Sequence, residues 1–137
     1  MEIANINLDE IEEKPLLPAD REMTFNVIKA EYRIAKKANE KTGDRNPMIA
    51  VEIAPMDPEF AGKDYKIYHN WVLTQKALES SDPVVSMKKC FIVVGYDWHV
   101  GGFTTEAVQT LQFVGKLSYQ DDRPNFPRLS HVLRGVS

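Results

Sequence analysis

Residues 22–73 read EMTFNVIKAEYRIAKKANEKTGDRNPMIAVEIAPMDPEFAGKDYKIYHNWVL, and this stretch decides the fold class. It contains three strand-like segments: EMTFNVIKAEYRIAKK, PMIAVEIA and KDYKIYHNWVL. In the first, Phe25 and Val27 alternate on one face, and from Ile28 the apolar set becomes Ile28, Ala30, Tyr32 and Ile34. A period of two that slips by one residue predicts a bulge or sharp coil, because side chains alternate strictly across a regular strand. In the second, Ile49, Val51 and Ile53 alternate with Met48, Ala50 and Glu52. In the third, Tyr65, Ile67, His69 and Trp71 alternate with Lys66, Tyr68, Asn70 and Val72, and the pattern does not choose the inward set. The turn KANEKTGDRN holds Gly43 to take a positive φ, which predicts a hairpin. APMDPEFAGKD, with Pro55, Pro58 and Gly62, is a second, longer turn.

Beyond Leu73 the pattern changes. ESSDPVVSMKKCFIVVGY predicts a helix with Asp82 as N-cap, Pro83 at the first helical position and Gly95 as the stop. DWHVGGFTTEAVQTL reads as a loop that tucks Trp98 on the core, then a short helix capped by Thr104. Two further strands are expected around Lys116–Gln120 and Leu129–Leu133, joined by the turn DDRPNFPR. Before Glu22, residues 1–21 are acidic and interrupted by Pro15 and Pro18; they read as an arm whose Ile6, Leu8 and Ile11 can pack on the body. The element order is three strands, a helical insertion and two strands. It predicts a mainly β domain over residues 22–137, a five-stranded OB-fold barrel with the helix between strands three and four. Closure would remove exposed sheet edges. The alternative is a split α+β sheet with the helices on one face.

At 137 residues, one domain with a real core is expected. The formal net charge of −3 excludes a generic basic nucleic-acid binder. The charge is uneven, however. The first 22 residues carry Glu2, Asp9, Glu10, Glu12, Glu13, Asp20 and Glu22 against Lys14 and Arg21, and residues 23–45 are net basic. Such asymmetry fits a local electrostatic footprint, although an ordinary solvated surface of mixed sign reads the same way. Cys90 is the only cysteine and lies in the apolar run MKKCFIVVGY, so an inert buried thiol and a cytoplasmic location are expected. No apolar stretch approaches a membrane span, and no secretory signal is expected.

The chemistry is concentrated on the first three strands. Lys29, Arg33, Lys36, Lys37, Lys41 and Arg45 crowd the first hairpin, and Phe25, Tyr32, Tyr65, Tyr68 and Trp71 recur on the strands. Cations beside exposed rings suit a single strand of nucleic acid, the cations tracking phosphates and the rings stacking on bases. Other chemistries lack support. His69, His99 and His131 have no paired spacing, so no metal and no cofactor are expected. The carboxylates of MDPEF and SYQDD lie in turn-like sequence, which disfavours a magnesium-dependent nuclease. Gly101-Gly102 lacks the lysine and hydroxyl residue of a phosphate loop. No nucleophile elbow is present, so an enzyme is not expected. A protein-interaction module of the same fold is the competing reading, its acidic arm either masking the basic surface or docking on a partner.

Several pieces together resemble the phage-encoded OB-fold single-stranded DNA-binding proteins of replication and recombination. LLPADREMTFNVIKAEYRIAKKANEKTG is similar to that family's opening, with a Leu-Pro turn, a long strand and a Lys-rich hairpin. NPMIAVEIAPMD and GKDYKIYHNWVL resemble its second and third strands, Phe113-Val114-Gly115-Lys116 the start of its fourth, and DDRPNFPRLSHVL its polar hairpin and fifth strand. The resemblance spans about residues 16–134 in order and spacing. It departs at Asp20 and Arg21, where members often carry glycine, and at RGVS, where many members have an acidic recruiting tail; binding, more than recruitment, is the expectation that carries over. The resemblance implies sequence-tolerant binding of single-stranded DNA without catalysis, in the host cytoplasm. Lys36, Lys37, Lys41 and Arg45 would touch phosphates; Tyr65, Tyr68 and Trp71 are the candidate stacking rings, with Lys63 and Lys66 beside them. Replication or recombination proteins and a second copy of the chain are the further candidate partners.

Overall fold

The alternating rows of the first three strands meet as expected, in a computed structural model that describes residues 15–35 and 46–136. Its elements in order are β1 (Met23–Ile34), β2 (Pro47–Pro55), β3 (Ile67–Val72), α1 (Gln75–Leu78), α2 (Met87–Val94), α3 (Trp98–Gly101), α4 (Thr105–Val108), β4 (Gln112–Gln120) and β5 (Arg123–Gly135). The strands form one antiparallel sheet in the order β3-β2-β1-β4-β5, with the four helices of the described residues between β3 and β4. The hydrogen-bonded ladder does not close, which corrects the expectation of a complete barrel. Its two edge strands, β3 and β5, nonetheless lie against each other, with Cα atoms within 8 Å.

The period slip in β1 is a bulge. Pairing with β2 shifts between Val27 and Lys29, so the inward row runs Met23, Phe25 and Val27 and resumes at Ala30. The other residues of the predicted second set, Ile28, Tyr32 and Ile34, are exposed. Ile49, Val51 and Ile53 of β2 face inward with Ile67 and Trp71 of β3. Phe113, Leu117, Leu129 and Val132 close the core from β4 and β5, with Phe25 and Phe113 ring centroids 5.7 Å apart. Each such side chain contributes roughly 1.5–3 kcal/mol by leaving water.

The insertion corrects one expected cap. Asp82 and Pro83 do not start the main helix; Asp82 closes a single turn, accepting from Val84 N–H at 2.9 Å. Helix α2 begins after Ser86, whose fully buried hydroxyl accepts from Lys89 N–H at 3.0 Å and donates to the Leu78 carbonyl at 2.8 Å. Gly95 ends the helix with φ +80°, and Thr104 caps α4, both as expected. Ser86→Ala should cost about 2 kcal/mol, a lost cap plus a carbonyl left without its buried donor. Asp82→Ala should cost less than half of that, and urea unfolding of the two variants separates them; equal losses would contradict this assignment.

Helix α2 docks on the end of β5 through a backbone-close contact. A Cβ on Gly135 would stand 2.3 Å from the Val94 carbonyl oxygen, so only glycine fits without moving the helix. Residues 15–21, assigned to the arm from sequence, pack on the sheet. Leu17 is buried, its carbonyl accepts from the Tyr119 hydroxyl at 2.6 Å, and Asp20 N–H donates to the Leu117 carbonyl at 3.0 Å. Asp20 adopts φ +57°, a left-handed conformation that aspartate tolerates better than most residues. That conformation gives a physical reason for glycine to be favoured at such a position.

Candidate nucleic-acid interface

Strand β3 sorts its two rows cleanly. Trp71 is fully buried, and its indole N–H donates to the Pro83 carbonyl at 2.9 Å. It has no ring face free for a base, which corrects its reading as a stacking platform. His69 sits edge-on to Trp71 with centroids 4.5 Å apart. Its Nε2 lies 2.8 Å from the Val84 carbonyl, an acceptor only, so Nε2 carries the proton. Burial lowers its pKa and favours the neutral ring. The other row points out: Tyr68 is 69% exposed, and Lys66 and Asn70 are exposed beside it.

Tyr65 lies just before β3 and is half-buried. Its ring meets Phe60 edge-on at 5.8 Å and its hydroxyl donates to the Pro15 carbonyl. Lys63 is exposed in the turn before it. On β1, Lys29 and Arg33 are exposed but share one acid: Glu31 lies 3.4 Å from Lys29 Nζ and 2.5 Å from Arg33 Nη2. The hydrogen bond from Arg33, then the charge of Lys29, holds the Glu31 carboxyl below its ordinary pKa. Register places Glu52 between Lys29 and Tyr68, so this part of the outer face is nearly balanced in charge. Lys36, Lys37, Lys41 and Arg45 lie outside the described residues.

The unbalanced charge lies elsewhere. A groove of about 630 Å³ runs between the start of β3 and the β4–β5 hairpin, with Pro15–Leu17 along its rim. Tyr68, Lys66 and Tyr65 line one wall; Tyr119, Arg123, Phe126 and Arg128 line the other. Phe126 is 72% exposed and Tyr68 69%, so both rings of the groove are open to solvent. Among the described residues, Lys66, Arg123 and Arg128 have no carboxylate within 4.0 Å. Arg128 Nε reaches Ser118 Oγ at 3.4 Å, and Asp64 is the carboxylate in the lining. Three cations and two exposed rings therefore share one open cleft.

Arg123, Phe126 and Arg128 were not expected from sequence. The available signal was a phenylalanine inside the otherwise polar turn DDRPNFPR. Trp98 is half-buried against the core as expected, stacked on Phe91 at 6.0 Å, but Trp98–Gly101 form helix α3 where the sequence reads as a loop. Cys90 is fully buried and its thiol is pushed up to about 12, so it is protonated at neutral pH. No group of three or more His, Cys, Asp or Glu among the described residues is placed to hold a metal ion. No helix among them is long and apolar enough to cross a membrane. No family model, curated protein or solved structure matches the chain.

Proposed function

We propose that this protein binds single-stranded DNA without strong sequence preference and without catalysis, in the groove between β3 and the β4–β5 hairpin. The observation that carries the reading is the grouping of exposed Tyr68 and Phe126 with Lys66, Arg123 and Arg128, none of which has a carboxylate within 4.0 Å among the described residues. Rings accept any base on their faces, and cations follow the backbone whatever its sequence.

The topology supports it. In an OB-fold, a partly open five-stranded Greek-key barrel, oligonucleotides lie on the face of strands two and three between the first hairpin and the β4–β5 loop. Here β1 lies between β2 and β4, and the free edges of β3 and β5 adjoin, as that barrel requires. Lys36, Lys37, Lys41 and Arg45, outside the described residues, would add further phosphate contacts. The resemblance to phage-encoded single-stranded DNA-binding proteins supports a role in replication or recombination within the host cytoplasm.

Replacing Lys66, Arg123 and Arg128 with alanine tests the groove. Each phosphate contact adds about 0.7 to the slope of log K against log salt for a single strand, so the triple variant should flatten that slope by roughly 2. Titration of oligo(dT) at several salt concentrations reads it. An unchanged slope places the strand elsewhere.

A further inference from the structure

The helical insertion carries a second cleft, of about 360 Å³, which shares no residue with the groove between β3 and the β4–β5 hairpin. Its floor is Met87 and Phe91 of α2, both buried, and its walls are the rings of Trp98 and Phe103. Local contacts hold those walls in place. The Tyr96 hydroxyl donates to the Gly102 carbonyl at 2.5 Å, and Gly102 takes φ +79°, a conformation that glycine adopts without strain. Phe103 follows that turn and stands edge-on to Phe91 at 5.5 Å, while Trp98 stacks on Phe91 from the other side of the turn at 6.0 Å. The aromatic cleft is therefore built by the fold itself, yet Phe103 remains 47% exposed.

The apolar surface continues past the cleft. Ile92, one turn after Lys88 on α2, is 53% exposed, and Val100, beside His99 on α3, is 87% exposed. Single exposed apolar residues are ordinary, but several around a preformed aromatic cleft mark an interaction surface. Charge decides what it fits. The polar residues of the lining are Lys88 and His99. His99 has a partner, with Asp97 Oδ1 3.1 Å from its Nδ1. Lys88 and its neighbour Lys89 have no carboxylate within 4.0 Å among the described residues.

We infer that this cleft docks an acidic segment of a partner protein, which inserts one aromatic or large aliphatic side chain between Trp98 and Phe103 and sets a carboxylate against Lys88. The exposed Ile92 and Val100 lie outside the cleft, so a peptide segment covers surface that a small anion would leave in water. A second copy of the chain fits less well. A two-fold contact places the same patch on both sides, which brings Lys88 and Lys89 of one copy towards those of the other, and facing like charges are costly.

The test titrates the full chain into a labelled, amidated peptide of sequence Asp-Asp-Phe-Asp-Asp at low salt, read by anisotropy. Saturable binding is expected. Changing the peptide's phenylalanine to alanine, or its aspartates to lysines, should weaken binding roughly tenfold or more. Lys88→Glu and Phe103→Ala in the protein should each weaken it about tenfold. Both side chains are largely in solvent, so urea unfolding should show little change in either variant. No saturable binding, equal binding of the lysine peptide, or unchanged affinity in Lys88→Glu would overturn the inference. Displacement of the peptide by oligo(dT) would also overturn it, because nucleic acid would then occupy the cleft. Since cleft and groove share no residue, failure of either assignment leaves the other standing.

Discussion

Trp71→Ala is expected to lose about 3–5 kcal/mol of folding stability. A domain of this size has only about 5–15 kcal/mol in total, so the variant should be partly unfolded at ambient temperature. The loss has two sources. The side chain is fully buried between the sheet and the insertion, and its removal leaves a large cavity. The Pro83 carbonyl also loses the indole N–H that satisfies it at 2.9 Å. Trp71→Phe should cost markedly less, because it keeps most of the volume and forfeits the hydrogen bond. Urea unfolding by circular dichroism measures both. A loss under about 1 kcal/mol for Trp71→Ala would contradict a core role and return the ring to the surface.

Three residues away on the same strand, Tyr68 should behave in the opposite way. Tyr68→Ala and Phe126→Ala should each leave stability within about 0.5 kcal/mol, since both rings are mostly in solvent. Each should weaken oligo(dT) binding by about 1–3 kcal/mol, the measured range for a ring stacked on a base. That is roughly 5- to 150-fold per residue. The double variant should bind more weakly than either single one, because the rings stand on opposite walls of the groove and take different bases. Titration of a labelled oligo(dT) with the three variants measures this. Unchanged affinity in the double variant would remove stacking from the account.

The division between Trp71 and Tyr68 was not legible in the sequence of β3, because both rows of that strand carry a ring. The insertion decides it. The Pro83 and Val84 carbonyls lie over β3 and take the Trp71 indole and the His69 imidazole, and no strand pattern encodes that contact. The bulge in β1 was legible, because burial forces the apolar period and the slip after Val27 had to appear in it. The start of α2 was read four residues early, because Asp82-Pro83 satisfies capping chemistry by itself. Burial of the Ser86 hydroxyl against Leu78 settles it.

Strand β5 is longer than expected for a related reason. Pro124 and Pro127 argue against a strand, but β5 is a sheet edge, where the missing N–H groups need not face a partner. The second wall of the groove was hidden by distance along the chain. Phe126 meets the region of Tyr68 only because the sheet order brings its two edges together, and the cations concentrated between Lys29 and Arg45 in the sequence pointed away from it.

Fluorescence anisotropy of labelled oligo(dT) and of a duplex of equal length, each titrated with the protein at low and moderate salt, decides whether the groove holds single-stranded DNA. Binding to oligo(dT) should weaken steeply with salt, and binding to the duplex, whose bases are not free to stack on Tyr68 and Phe126, should be much weaker. Binding to neither would contradict single-strand binding and leave the groove to a protein partner.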